Sequence, residues 1–250
     1  MELGIDKTEL RIKNFPTAFP FKQTLVHTVD SGDYVAGMEK AKQMADYKGF
    51  EARRKESEAK GKLRGIGVTS YFEACGIAPS AAVMSLGCGV GLWESAEVRF
   101  NPTGQVTVYT GSHSHGQSHQ TTFAQIAADE LGVPIENIDI VHGDTDKGTF
   151  GMGTYGSRSL AVGGIAIVND CKKIFEKGKR VTAKMLEANP EDVEFKDGEF
   201  IVSKSNKKKT IGEVAFACYL PGVRDEMKSP LPEGDAVSYT HLRAHETLIY

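Results

Sequence analysis

The sequence predicts an α+β protein in which mixed sheets and hairpins pack with helices. Three observations lead there. Helical and alternating patterns are interleaved without a regular strand–helix–strand rhythm. Apolar residues make up 40% and charged residues 25%, which suits a chain with a true core and excludes a disordered one. The 27 glycines, about 11% against a usual 7%, gather in 61–91 and 143–164, where the backbone must turn tightly or approach something closely.

Asp6 and Glu9 have capping-box spacing ahead of Leu10, Ile12 and Phe15, so a short helix opens the chain, and Pro16 and Pro20 end it. Asp30-Ser31-Gly32-Asp33 offers caps for a long helix over Val35, Met38, Ala41, Met44 and Ala45 that continues through the charged stretch 51–60. Residues 65–73 read as a strand with close backbone neighbours. Ala96, Val98 and Phe100 alternate with polar residues, Asn101-Pro102-Thr103-Gly104 has turn chemistry, and Val106, Val108 and Thr110 resume the alternation, giving a hairpin. A helix follows at about 117–131 with Phe123, Ile126, Ala127 and Leu131 on its apolar face and Gly132 as its stop. After a short strand at 138–141, a further helix opens near Ser157 and runs toward Glu187. Lys196-Asp197-Gly198 sets a last hairpin between 193–195 and 200–202, Lys207-Lys208-Lys209 reads as a solvated charged turn, and a short helix closes at 210–219.

At 250 residues the chain can bury a sizeable core, as one large domain or two ordinary ones. A net charge of −3 and a pI near 6.2 argue against a dedicated nucleic-acid binder. No run approaches the roughly 18 apolar residues of a membrane span, and the amino end lacks the features of a signal peptide, so a cytoplasmic location is expected. Cysteines 75, 88, 171 and 218 form no C-x-x-C pair and suit neither structural zinc nor an iron–sulfur cluster; they read as reduced, mostly buried thiols.

Two loops share one design, glycine-rich, polar and placed before a helix: Thr110-Gly111-Ser112-His113-Ser114-His115-Gly116-Gln117-Ser118-His119 and Gly151-Met152-Gly153-Thr154-Tyr155-Gly156-Ser157-Arg158-Ser159. Helix starts present unpaired N–H groups, and glycine lets backbone approach an anion. Ser157, Arg158 and Ser159 add hydroxyls and a charged fork suited to a diphosphate, and Gln117 can read a heterocycle edge. Together they suit one extended, phosphate-bearing ligand. A cation such as Arg158 in a first helical turn opposes the helix dipole, which supports a bound anion there. Other readings stay open. Gly151 to Gly156 matches G-x-G-x-x-G, but a nicotinamide site needs a strand running straight into it. His113, His115 and His119 could hold zinc for a hydrolase. Asp144-Thr145-Asp146 could be acid/base carboxylates, or simply a turn. Glu73 and Glu94 sit in apolar surroundings with no role assigned.

The same residues resemble the second molybdopterin-binding region of the xanthine dehydrogenase / aldehyde oxidase family, on the side of the aerobic carbon monoxide dehydrogenase large chain. The segment 111–132, then His142-Gly143-Asp144-Thr145-Asp146 and Gly151 to Ser159, stand at the family's spacing, and the likeness covers about residues 2–235. The resemblance implies a molybdenum hydroxylase with molybdopterin cytosine dinucleotide, oxygen transfer at molybdenum to an N-heterocycle, an aldehyde or carbon monoxide, and electrons leaving through 2Fe–2S clusters and FAD. Those clusters would lie on an iron–sulfur small subunit and the FAD on a medium subunit, in a dimer of heterotrimers. It places cofactor contacts at Gly116, Gln117, Ser118, Gly156, Ser157, Arg158 and Ser159. Ser118 replaces a usual glycine and fits if its φ is negative.

Family subunits are several-fold longer, and the segments carrying the base and the substrate-sorting loop are not present, so the chain reads as an internal fragment with no nameable catalytic residue and no metal ligand of its own. Residues 1–64 are expected to be a helical linker, 65–235 an incomplete molybdopterin-binding domain, and 236–250 a non-native tail unlike the family. A non-catalytic dinucleotide-binding module is the alternative, and a His-loop zinc hydrolase a more distant one.

Overall fold

The computed structural model describes residues 3–23, 28–73, 75–76, 80–85, 87, 89, 91–220 and 243–244. The chain divides into two compact units, Met1–Ala74 and Cys75–Tyr250, so the division falls after 74 rather than at the expected 64/65. Cys88 and nearly all of the expected non-native tail lie outside the described residues.

In the first unit, α1 (Lys7–Lys13) begins where Asp6 accepts the Thr8 and Glu9 amides, as the capping residues predict. The short strands β1 (Phe21–Lys22) and β2 (Thr28–Val29) pair antiparallel. The expected long helix is instead two, α2 (Tyr34–Met44) and α3 (Phe50–Ala59). Asp46 breaks it by taking a left-handed conformation, φ 42°, and capping the short 3-10 turn Tyr47–Gly49. Arg53 fixes that break by donating to the Ala45 and Asp46 carbonyls at 3.0 and 2.8 Å. Residues 65–73 do not form the expected strand. A strand needs a ladder partner, and the described residues supply none; the Lys7 ammonium donates to the Ile66 carbonyl, at 2.7 Å.

In the second unit, α4 (Ser80–Ser85) precedes the hairpin β3 (Ala96–Phe100) and β4 (Val106–Thr110). Helix α5 (His119–Leu131) ends at Gly132, φ 63°, and leads to β5 (Ile138–Val141), which lies parallel to β4. One strand–helix–strand crossover thus sits inside an otherwise antiparallel arrangement. A π-helical turn, Ser159–Gly164, then feeds α6 (Ile165–Leu186), so the helix expected from Ser157 starts later. Strands β6 (Val193–Lys196), β7 (Glu199–Val202) and β8 (Lys208–Thr210) form a second sheet, and α7 (Ile211–Ala217) follows. A two-residue strand, β9 (Arg243–Ala244), lies on the free edge of β3.

Strand β8 replaces the expected charged turn. Its lysines remain solvated while its backbone pairs with β7, and Lys208 meets Glu199 at 2.8 Å. The turn at Asp197 and Gly198, φ 49° and 78°, is the left-handed pair that a two-residue hairpin requires. Helix α6 joins the sheets. Ile167, Cys171, Ile174, Gly178 and Val181 recur at helical spacing and are buried, and the apolar ones among them share one core cluster with Phe100, Phe123 and Phe200. Gly178 makes room for a ring: a Cβ there would lie 2.1 Å from Phe200 Cζ. Cys171 and Cys218 are buried, Cys75 is exposed, and burial pushes the Cys171 thiol far up.

Candidate functional site

The parallel register Tyr109↔Val141 brings the carboxyl ends of β4 and β5 side by side, so both glycine loops leave the same edge of the sheet. In open sheets with parallel strands that edge is where ligands bind. The loops touch back to back. A Cβ on Gly111 would lie 2.6 Å from Gly151 Cα, and one on Gly151 would lie 1.6 Å from Glu94 Oε1. Only glycine at both positions allows this approach. Further along, the His113 amide donates to Thr154 Oγ1 at 2.9 Å, and the Ser159 hydroxyl reaches the same oxygen at 2.9 Å.

Glu94 stands where the loops meet, fully buried. Its carboxylate accepts the Ser95 amide at 3.1 Å and the Ser112 hydroxyl, the Gly153 amide and the Arg158 guanidinium at 3.2 Å each. Burial raises its pKa, while the Ser95 N–H, Arg158 and Ser112 pull the other way. Arg158 is equally buried. It donates to the carbonyls of Leu92 at 2.9 Å, Trp93 at 2.7 Å and Gly153, and its face lies over the Tyr155 ring at 5.2 Å. The Arg158 guanidinium, expected to reach a diphosphate, is here turned inward onto a carboxylate and three carbonyls. The anion that a cation at this helix start requires is Glu94, inside the chain. Sequence reasoning left Glu94 without a role because its partner is 64 residues away and shares no motif with it.

The other expected contacts divide by exposure. Gly116, Gln117, Ser118, Gly156 and Ser157 line an exposed rim, whereas Ser159 is buried with Arg158. Gly116, Gly156 and Ser157 all have positive φ, at 106°, 57° and 51°, a region that glycine enters freely and serine rarely. Ser118 also has positive φ, 66°, so it fails the condition set for serine there; it precedes α5 in a left-handed conformation without a side-chain cap. Gln117 folds onto its own loop, accepting the His115 amide and donating weakly to the His113 carbonyl at 3.4 Å. The Ser157 carbonyl accepts the Gly76 amide at 3.0 Å.

The competing readings lose ground on geometry. His113 pairs with His142, Nδ1 to Nδ1 at 3.2 Å, and lies edge-on to His115, but His119 is buried and stacked on Phe123 with centroids 4.9 Å apart. Burial, then the neighbouring histidines, lowers the His119 pKa, and burial and His113 lower that of His142. Among the described residues no three or more His, Cys, Asp or Glu side chains converge as metal ligands. Residues 142–150 separate β5 from Gly151, against a nicotinamide turn. Asp144 accepts the Asp146 amide at 3.0 Å, which lowers its pKa and makes Asp144-Thr145-Asp146 a turn. The first unit carries a cleft of about 950 Å³ lined by Phe15, Tyr34, Met38 and Tyr71 among others, with none of the expected site residues on it.

Comparison with known proteins bears on the same loops. The family described as molybdopterin cofactor-binding domain matches residues 40–246. The carbon monoxide dehydrogenase large chain of Afipia carboxidovorans is 40% identical over 226 residues, covering 87% of this chain and 28% of its own. That of Hydrogenophaga pseudoflava is 38% identical over 224 residues, with the same coverage. The crystal structure of quinoline 2-oxidoreductase from Pseudomonas putida 86 superposes with a TM-score of 0.65 at 35% identity, covering 98% of this chain and 30% of that one. The chain thus spans under a third of the length of the relatives it matches.

Proposed function

The chain belongs to the molybdopterin cofactor-binding domain family, and from that premise we propose that it is part of a molybdenum hydroxylase large subunit and forms one wall of the site for molybdopterin cytosine dinucleotide with molybdenum. The observation that carries the proposal is the junction of the two glycine loops at Gly111 and Gly151, at the carboxyl ends of a parallel strand pair. It offers an exposed rim of left-handed backbone at Gly116, Ser118, Gly156 and Ser157, with the Gln117 carboxamide beside it. Those groups fit an extended polar ligand through backbone amides, hydroxyls and one amide edge. Since Glu94 holds Arg158, the rim meets a diphosphate with neutral donors, and the buried fork steadies the loop behind them. When bound, the cofactor supplies two-electron oxygen-transfer chemistry at molybdenum. This chain's residues bind and orient it.

The whole enzyme is proposed to oxidise a small substrate, an N-heterocycle, an aldehyde or carbon monoxide. Relatives named as large chains support association with further subunits, which we propose are an iron–sulfur small subunit and a FAD-binding medium subunit in a dimer of heterotrimers. No helix among the described residues is long and apolar enough to cross a membrane, and a cytoplasmic location is part of the same proposal.

The test is the composition of the complex purified from cells supplied with molybdate. Molybdenum and acid-released cytidine monophosphate in equal amounts, both reduced by Gln117→Ala and Ser157→Ala, are the expected result. A guanine nucleotide would overturn the cytosine assignment, and a molybdenum-free complex the whole reading.

A further inference from the structure

We infer that Glu94 is a positioning residue that sets the two rim loops against each other, so that neither loop holds its ligand-binding shape without it. The inference deepens the cofactor reading and rests on it.

Three segments distant in sequence meet on this one side chain. Glu94 belongs to the segment leading into β3, Ser112 to the first loop, and Gly153 and Arg158 to the second. Each loop therefore reaches the carboxylate by its own hydrogen bond, and Arg158 returns to the Leu92 and Trp93 carbonyls just before it in the chain. Steric fit agrees with the polar contacts. Cβ atoms on Gly111 and on Gly151 would lie 2.3 and 1.6 Å from Glu94 Oε1, and one on Gly163 would lie 2.8 Å from Ser112 Oγ and 3.8 Å from Glu94 Cγ. Three glycines on different segments thus leave room for this carboxylate and its partner hydroxyl.

The chemistry selects glutamate. A carboxylate accepts only, so it can gather an amide, a hydroxyl and a guanidinium without turning a donor toward any of them. The carboxamide of glutamine would aim an N–H₂ at one of these donors. The loops would then lose a shared acceptor while the packed volume stayed the same. A residue that served only to fill the core would tolerate that exchange.

The experiment compares the 250-residue chain with Glu94→Gln, and with Glu94→Asp as a variant that keeps the charge at shorter reach. The readouts are peptide-resolved hydrogen exchange and acrylamide quenching of Trp93, the sole tryptophan, whose carbonyl accepts Arg158 and whose ring lies 5.2 Å from Phe150. Glu94→Gln is expected to speed exchange at least about tenfold in both 111–117 and 151–158, to expose Trp93, and to leave the 193–202 hairpin unchanged. Glu94→Asp should fall between. Unchanged exchange in either loop, or equal acceleration in the hairpin, would overturn the inference. A second arm measures molybdenum retained by the complete complex carrying Glu94→Gln. A loss of about tenfold or more is expected. Loosened loops with full retention would overturn the link to the cofactor while leaving the role of Glu94 between the loops standing.

Discussion

Two regions of the second unit use glycine for opposite ends. Around α6 and β7, Gly178 clears space for the Phe200 ring, and the packing that results is apolar and non-directional. Around Glu94, Gly111 and Gly151 clear space for a carboxylate, which then accepts directional hydrogen bonds from named donors. The first region can repack with another ring position or another apolar residue. The second cannot, because its donors converge on a single acceptor that carries charge. Tolerant packing and strict placement are thus held by different physics within one core cluster and its adjoining loops.

The largest expected effect comes from taking the charge out of the directional region. Glu94→Ala leaves the Arg158 cation buried without its partner and should cost about 3–5 kcal/mol in urea unfolding followed by Trp93 emission. A cost below about 1 kcal/mol would show that the two regions do not differ. Next come the glycines themselves. Gly178→Ala and Gly151→Ala should each cost about 1–3 kcal/mol by overpacking. The contrast lies in rescue: Phe200→Leu should restore part of the loss in the Gly178→Ala background. No change at Glu94 should restore Gly151→Ala, since its Cβ also meets the Gly111 backbone, at 2.8 Å.

A third prediction concerns a charge placed on the apolar side. Asp170 on α6 is buried, accepts the Val98 amide at 2.7 Å, and lies 3.5 Å from the Lys173 ammonium. Burial pushes its pKa up to about 7, with Glu97 adding to the rise, while the Val98 amide and Lys173 oppose it. The folded chain therefore holds this proton more tightly than the unfolded chain. The resulting stability is full below the ordinary carboxylate range near about 4 and is lost as pH rises through about 7. Asp170→Asn should flatten the fall in urea midpoint between about pH 4 and pH 7. An unaltered slope would assign that fall to other groups. The smallest effect is at the edge of the apolar region, where Thr210 and Glu213 complete a capping box on α7. Thr210→Ala should cost about 1 kcal/mol in the same assay.

What sequence alone made legible follows the same division. The β3–β4 hairpin was readable from Ala96, Val98 and Phe100, and α5 from its apolar face and Gly132, because burial imposes a period on neighbouring residues. The family likeness was readable from the loops. Strand β8 was not, since its exposed lysines carry no strand period and only pairing with β7 defines it. Nor was the break at Asp46, where one left-handed residue interrupts a pattern that is helical on both sides. At the site, the placement of Arg158 read as a sign of a bound anion, whereas the anion it meets is Glu94, a partner far along the chain. Ionic pairing imposes no period, so neither half announces the other.

The separation of Glu94 from Arg158 has a kinetic side. Hairpins such as β3–β4 and β6–β7 close over a few residues, whereas this ion pair closes a span of 64. Local closures form early in folding and distant ones late, so the scaffold should be assembled while the glycine loops are still apart. Substitutions at Glu94 would then speed unfolding far more than they slow folding. The contact between the glycine loops is then the last part of the shape to form.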